Sequence, residues 1–100
     1  GRKQTVRIES VDREDGLRIV RVFSPCGAAK DSFYAWCLKA NTRLVQSAIG
    51  LAPIDGVENF CLLRTFLEGQ ITKPEMHAAI KEIAYYADWI EHKMTGQDEL

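Results

Sequence analysis

The sequence predicts an α+β fold, in which an N-terminal antiparallel β-hairpin is followed by three α-helices in one compact domain. Three observations carry this prediction. Two short segments rich in β-branched residues flank a polar, glycine-containing run near the start of the chain. Apolar residues then recur at spacings of three and four through most of the remaining sequence. The chain has 100 residues, which is the length of a single domain.

The hairpin is predicted over residues 1–24, with residues 5–11 and 17–23 as its strands. A five-residue loop joins them and sets the register. The predicted pairs are Val11 opposite Leu17, Ile8 opposite Val20, and Val6 opposite Val22. Burial favours this register, because a slip of one residue would divide the apolar side chains between the two faces. Two strands alone are marginally stable, so the hairpin must pack on an apolar surface.

The first helix is predicted over residues 31–49. Asp31 or Ser32 would cap its N-terminus, and Gly50 would end it in the left-handed conformation. Its apolar positions cover more than one stripe, which indicates burial on much of its circumference.

The second helix is predicted over residues 56–68. Asp55 and Glu58 have the spacing of a capping box, and Gly69 follows the segment. Nearly all of its residues are apolar, so we expect it to be the most buried helix.

The third helix is predicted over residues 73–95, where the local signals are clearest. Thr72 and Glu75 have the spacing of a capping box, and Pro74 falls in the first turn, where its missing N–H is tolerated. Gly96 follows the helix, and residues 96–100 are expected to form a frayed tail.

A stripe of apolar residues runs along the third helix at spacings of 4, 3, 4, 3 and 4. Such a heptad repeat is typical of a helix–helix seam, which makes a homodimer one interpretation. The other is a seam within the chain, against the helix over residues 56–68. The stripe consists of Met76, Ile80, Ile83, Ala87, Ile90 and Met94.

A second group of side chains on the same helix predicts a partner-binding surface. Tyr85, Tyr86, Trp89 and Lys93 lie beside the apolar stripe on a helix that already has one apolar face. Aromatic side chains with a polar atom are enriched at protein interfaces. The alternative is that these rings only complete the core.

The charge distribution leaves a nucleic-acid-binding regulator as an alternative function. Residues 1–50 carry a net charge of +4 and residues 51–100 carry −5, giving −1 in total. Basic residues of the hairpin and N-terminal arm could contact phosphates. They are Arg2, Lys3, Arg7, Arg13, Arg18 and Arg21. Acidic residues interrupt the same segment and weaken this interpretation.

The cysteines provide a second alternative, a thiol-based enzyme or redox sensor. Cys26 lies between Pro25 and Gly27 in an expected loop, and it is the only cysteine in a setting where a thiol could react. Three cysteines without a CxxC pair predict reduced thiols in a cytoplasmic protein rather than a disulfide framework. The two histidines lie about 22 Å apart on a continuous helix, so they cannot share a metal ion.

The leading functional prediction is a small non-catalytic module that binds another protein. It would act as an inhibitor or adaptor through the aromatic helix surface and would associate with a second copy of itself. No enzymatic motif, cofactor-binding motif or metal-ligand spacing is present in the sequence. No apolar run approaches the length of a membrane span.

Overall fold

The computed structural model describes residues 5–96, and within them the chain forms four strands and two α-helices. A short 3-10 turn at Asp31–Phe33 precedes the first helix. The elements in chain order are β1 (Arg7–Asp12), β2 (Arg18–Ala28), α1 (Tyr34–Asn41), β3 (Ala48–Ile54), β4 (Val57–Leu67) and α2 (Lys73–Thr95). The strands form one antiparallel sheet in the order β1-β2-β4-β3. The fold is α+β, but the prediction of a hairpin followed by three helices is wrong.

The first hairpin forms with its predicted faces and a different register. Val11 lies opposite Ile19, and Ile8 lies opposite Val22, which is a shift of two residues from the prediction. The shift arises because Leu17 belongs to the turn, where its carbonyl accepts from the Arg13 N–H at 2.8 Å. Since side chains alternate with a period of two, a two-residue shift leaves every side chain on its predicted face.

The second strand continues past the break expected at residues 24–27. An irregularity between Pro25 and Gly27 accommodates the missing N–H, and pairing with β4 resumes beyond it. Gly27 has a φ of +128°, and a Cβ there would lie 2.7 Å from Cε of Met94. The positive φ therefore favours glycine at this position, and a Cβ there would displace the terminal methyl group of the flexible Met94 side chain.

The helix predicted over residues 31–49 is shorter than expected. Its α-helical part ends at Asn41, and residues 48–54 form β3. The Asn41 side chain explains where the helix stops. Its Oδ1 accepts from the Ile49 N–H at 2.7 Å, and its Nδ2 donates to the Ile49 carbonyl at 3.3 Å. Asn41 thus bonds to the outer edge of β3 much as a neighbouring strand would.

The helix predicted over residues 56–68 is a strand, β4, which pairs with β2 on one side and β3 on the other. Asp55 and Gly56 have φ values of +52° and +81° and link the directly paired residues Ile54 and Val57. Positive φ at both positions is typical of a two-residue hairpin turn. Asp55 is therefore a turn residue rather than a helix cap. Residues 60–62 at the centre of β4 are apolar and buried at consecutive positions, which explains the misleading pattern.

The third predicted helix is confirmed at both ends as α2. Thr72 and Glu75 form the complete capping box, Pro74 lies in the first turn, and Gly96 caps the C-terminus with a φ of +77°. Residues 97–100 of the predicted tail lie outside the described residues.

The two helices lie on the same face of the sheet, and the core lies between these layers. α2 crosses the central strands, where Val22 and Leu62 meet Ile83 and Ile90; all four are fully buried. No helix within residues 5–96 packs on the opposite face, which we call the open face. By strand register it carries Arg7, Glu9, Arg21, Phe23, Cys61 and Leu63 among others.

Candidate protein-binding groove

The predicted partner surface on α2 meets α1 along a row of aromatic rings. The indoles of Trp36 and Trp89 are 5.4 Å apart between centroids and inclined by 44°. Phe33, in the 3-10 turn before α1, extends the row, with its ring 5.5 Å from that of Trp36. On α2 the Tyr86 ring lies 6.3 Å from Trp89, and the Tyr85 ring lies 5.0 Å from Tyr86. The row therefore spans both helices, whereas the sequence placed it on one.

A groove of about 390 Å³ lies between α1 and α2, and we call it the α1/α2 groove. The two indoles lie among three basic side chains there. It is lined by Trp36, Lys39, Ala40, Thr42, Arg43, Trp89 and Lys93. None of these seven residues is acidic, so the lining has a formal charge of +3. Basic groups beside aromatic rings can hold a carboxylate while the rings contact apolar atoms.

Helical spacing brings these side chains to one groove. On α1, Trp36 is followed by Lys39 three residues later, and on α2, Trp89 is followed by Lys93 four residues later. Residues three and four apart lie on the same side of a helix. Arg43 joins them from just beyond α1, where its N–H donates to the Ala40 carbonyl at 2.9 Å.

The predicted partner residues have different degrees of exposure. Tyr85 is 69% exposed, whereas Tyr86 and Trp89 are partly buried and pack against the core. The interpretation that the rings complete the core therefore holds for Tyr86 and Trp89, while the partner-binding interpretation stays a prediction. Tyr86 and Trp89 help to close the core and still present part of their surface, while Tyr85 lies on the surface. Lys93 is partly buried in the groove lining.

Sequence reasoning did not identify Lys39 and Arg43 as binding residues. Their spacing from Trp36 was visible, but it gave no sign that α1 would pack beside α2 rather than against another helix. A shared pattern could have indicated Lys39: a basic residue follows Trp36 by three positions, as Lys93 follows Trp89 by four.

The heptad stripe on α2 faces the sheet of the same chain. Ile83, Ala87, Ile90 and Met94 are buried in the core. Met76 and Ile80 pack against that core and are partly buried. The spacing is therefore satisfied by contacts with strands, not with the helix expected over residues 56–68, and it no longer argues for a second copy.

The basic residues proposed for nucleic acid do not converge on one surface. Arg2 and Lys3 lie outside the described residues. Arg7 and Arg21 lie on the open face, and Arg18 lies on the other face of the sheet. Three of the arginines form ion pairs: Arg13 with Asp15 at 2.7 Å, Arg18 with Asp12 at 3.5 Å, and Arg21 with Glu9 at 3.3 Å.

The thiol of Cys26 is buried rather than placed in an exposed loop. Burial raises its pKa to about 12, so it stays protonated and inaccessible near neutral pH. Burial also raises the pKa of Cys37 and Cys61, and all three cysteines are free thiols. None of them has the environment of a nucleophile.

Three further features concern metal binding, an ion pair of α2 and membrane spanning. Within residues 5–96, no group of three or more His, Cys, Asp or Glu side chains could bind a metal ion. His92 lies 3.7 Å from Asp88, one helical turn away on α2. No helix in the described part of the chain is long and apolar enough to cross a membrane.

Comparisons with known proteins add no family to these observations, since no family model, curated protein or solved structure matches the chain. The geometry of the α1/α2 groove therefore carries the functional proposal.

Proposed function

We propose that the chain is a small non-catalytic module that binds another protein by taking an acidic segment into the α1/α2 groove. One observation carries the proposal: the Trp36–Trp89 pair lies among three cations in a lining without a carboxylate. Tryptophan and arginine are the side chains most enriched among those that dominate binding energy. The module would work as an inhibitor or adaptor, by occupying a partner's surface.

The size and chemistry of the groove favour a short segment. A volume of about 390 Å³ accommodates one or two side chains of a peptide rather than a whole domain. A carboxylate paired with Lys39 or Lys93 would gain a charge-assisted hydrogen bond, and an adjacent apolar side chain would bury surface against the indoles. The preferred ligand is therefore an acidic segment with a large apolar residue beside its carboxylates.

A protein partner is favoured over nucleic acid because only three cations of the described residues line the groove, too few to follow a nucleic-acid backbone. Specific nucleic-acid binding neutralises several phosphates along a backbone. Outside the groove, α2 carries Glu82, Asp88 and Glu91, which would repel a polyanion running along the helix. A short acidic segment ends before it meets them.

Two other expectations belong to the proposal. The three free cysteines support a reducing compartment such as the cytoplasm. The apolar stripe of α2 is covered by the sheet of the same chain. The proposed module therefore binds its partner without needing a second copy.

The test is selection of peptides from a random twelve-residue library displayed on phage. We expect enrichment of acidic sequences that contain an aromatic or large aliphatic residue. For the best peptide, Lys39→Gln and Lys93→Gln should each weaken binding about tenfold, as expected when a charge-assisted bond is lost. Lys81→Gln is the matched control, because Lys81 is an exposed lysine of α2 outside the groove lining.

Two results would overturn the proposal. One is a set of selected peptides whose affinity is unchanged by both groove substitutions. The other is tight binding of a twenty-nucleotide oligo-dT that depends on Lys39 and Lys93, which would favour the nucleic-acid alternative.

A further inference from the structure

We propose that the open face of the sheet contains a second binding site, for a small molecule with one carboxylate attached to an apolar body. The site is a cleft of about 520 Å³, within the range of volumes typical of small-molecule sites. It lies on the side of the sheet opposite the α1/α2 groove, so it is independent of the function proposed above.

The floor and one wall of the cleft are apolar. Phe23, Cys61 and Leu63 form the floor, where Phe23 is paired directly with Leu63 across β2 and β4. Phe23 and Cys61 are buried, although neither belongs to the core between sheet and helices. β3 supplies the far wall through residues 51–54, none of which is charged.

The charges of the cleft all lie on the first hairpin. Arg7 and Arg21 carry two guanidinium groups, and Glu9 provides the only carboxylate among the described residues of the lining. Glu9 is already paired with Arg21, through an Oε1 to Nη1 distance of 3.3 Å. The lining therefore has one positive charge in excess, at one side of an apolar floor.

Two further features support a role for these guanidinium groups in the cleft. The Nε of Arg21 is buried and has no hydrogen-bond partner among the described residues. Burial raises the pKa of the Cys61 thiol, and the positive charge of Arg7 partly opposes that effect. A carboxylate would neutralise the excess charge, and a planar guanidinium can hold both of its oxygens.

The outer edge of β3 argues against an extended peptide as the occupant. Asn41 already bonds to both backbone groups of Ile49. Pro53, two residues beyond Leu51 on the same edge, has no N–H to donate. Strand addition needs a continuous row of free backbone groups, and this edge does not present one. A ligand that binds through a carboxylate and an apolar body does not need free backbone groups of the strand.

The test uses decanoate as the probe and decyltrimethylammonium as the matched cation with the same alkyl chain. We expect decanoate to bind saturably and to shift the amide resonances of Phe23, Cys61 and Leu63 in a ¹⁵N-labelled sample. Arg7→Gln should weaken decanoate binding about tenfold, as for loss of a charge-assisted bond, while the cation should bind at least that much more weakly to the native protein. Lys81→Gln, at an exposed lysine of α2 outside both the cleft and the α1/α2 groove, should change nothing.

Arg21→Gln tests the second guanidinium, and its far-ultraviolet circular dichroism reports whether the variant folds. A folded Arg21→Gln variant should also bind decanoate about tenfold more weakly. The proposal is overturned by absence of saturable decanoate binding, by equal binding of the two amphiphiles, or by decanoate affinity that Arg7→Gln leaves unchanged. Because Arg7 is exposed, the Arg7→Gln variant should fold. Its decanoate affinity therefore tests the proposal even if Arg21→Gln does not fold.

Discussion

Replacing Asn41 by alanine should destabilise the protein more than a polar surface substitution does. In the native structure the Asn41 amide bonds to both backbone groups of Ile49, at 2.7 Å and 3.3 Å. These two groups point away from β4 at the outer edge of the sheet. Ile49 is only 9% exposed, so water reaches its backbone poorly once the amide is gone. The substitution also frees a sheet edge that the wild-type side chain covers.

The expected magnitude follows from the two hydrogen bonds. Each contributes about 1 kcal/mol net, so Asn41→Ala should lower the free energy of unfolding by about 2 kcal/mol. Incomplete hydration of the Ile49 N–H would raise this toward about 3 kcal/mol, because a buried donor without a partner bears its full desolvation cost. With a urea m-value of about 1 to 2 kcal/mol/M, the unfolding midpoint should fall by about 1 to 2 M.

Urea unfolding followed by circular dichroism measures this change, and hydrogen exchange of the Ile49 amide locates it. The matched control is Asn59→Ala, whose side chain makes one exposed bond to the Val57 carbonyl at 2.9 Å. We expect this control to lose no more than about 1 kcal/mol. Equal destabilisation of the two variants, with the Ile49 amide still protected in Asn41→Ala, would refute the reasoning.

Two further predictions concern α2. Ile83→Ala should cost about 2 to 5 kcal/mol, because Ile83 is fully buried, whereas Tyr85→Ala at a mostly exposed position should stay within about 0.5 kcal/mol. We expect the unfolding midpoint of the wild type to be independent of protein concentration; a midpoint that rises with concentration would indicate a dimer and contradict the assignment of Ile83 to the core of a single chain. Glu75 should make stability depend on acidity, because bonds from the Thr72 N–H and hydroxyl lower its pKa below the ordinary 4.5. The stabilisation by Glu75 is present above pH 4.5 and disappears as the pH falls through the lowered pKa. Glu75→Gln should therefore flatten this part of a profile of unfolding free energy measured from pH 6 to 3. A profile that the substitution leaves unchanged would contradict this prediction.

The parts of the fold that could be predicted from sequence are those fixed by local chemistry. α2 begins at a capping box and ends at a left-handed glycine, and both signals involve residues within a few positions of each other. The faces of the first hairpin follow from alternation of its side chains. Its register does not, because the turn takes in Leu17 through a hydrogen bond that the composition of the loop does not reveal.

The second hairpin could not be separated from a helix by its apolar residues alone. Residues 60–63 of β4 are apolar at consecutive positions, and so is a helix buried all round. The Asp55–Gly56 pair is compatible with a two-residue hairpin turn, and in the structure both residues adopt positive φ between paired strands. Asp55 also has the spacing of a helix cap relative to Glu58, and local sequence does not choose between these roles.

Only the α2 side of the α1/α2 groove could be predicted from sequence, because only α2 had clear local signals. Trp89 and Lys93 belong to the helix whose limits were clear, whereas Lys39 and Arg43 come from the end of a helix whose length was misjudged. Convergence of the two sets depends on α1 and α2 lying side by side on one face of the sheet. That arrangement requires the second hairpin, which local patterns assigned to a helix.

The position of positive charge on the surface illustrates why net charge of a segment is a poor guide to a binding site. The first half of the chain is basic by sequence, and its hairpin arginines account for much of that charge. In the structure Arg13 and Arg18 are paired with neighbouring carboxylates, so their fields largely cancel within a few ångströms. Lys39 and Lys93 line a groove without a carboxylate, one from each half of the chain. Removing any one of these cations changes the net charge equally, but only the groove lysines alter the field that a bound acidic segment would meet.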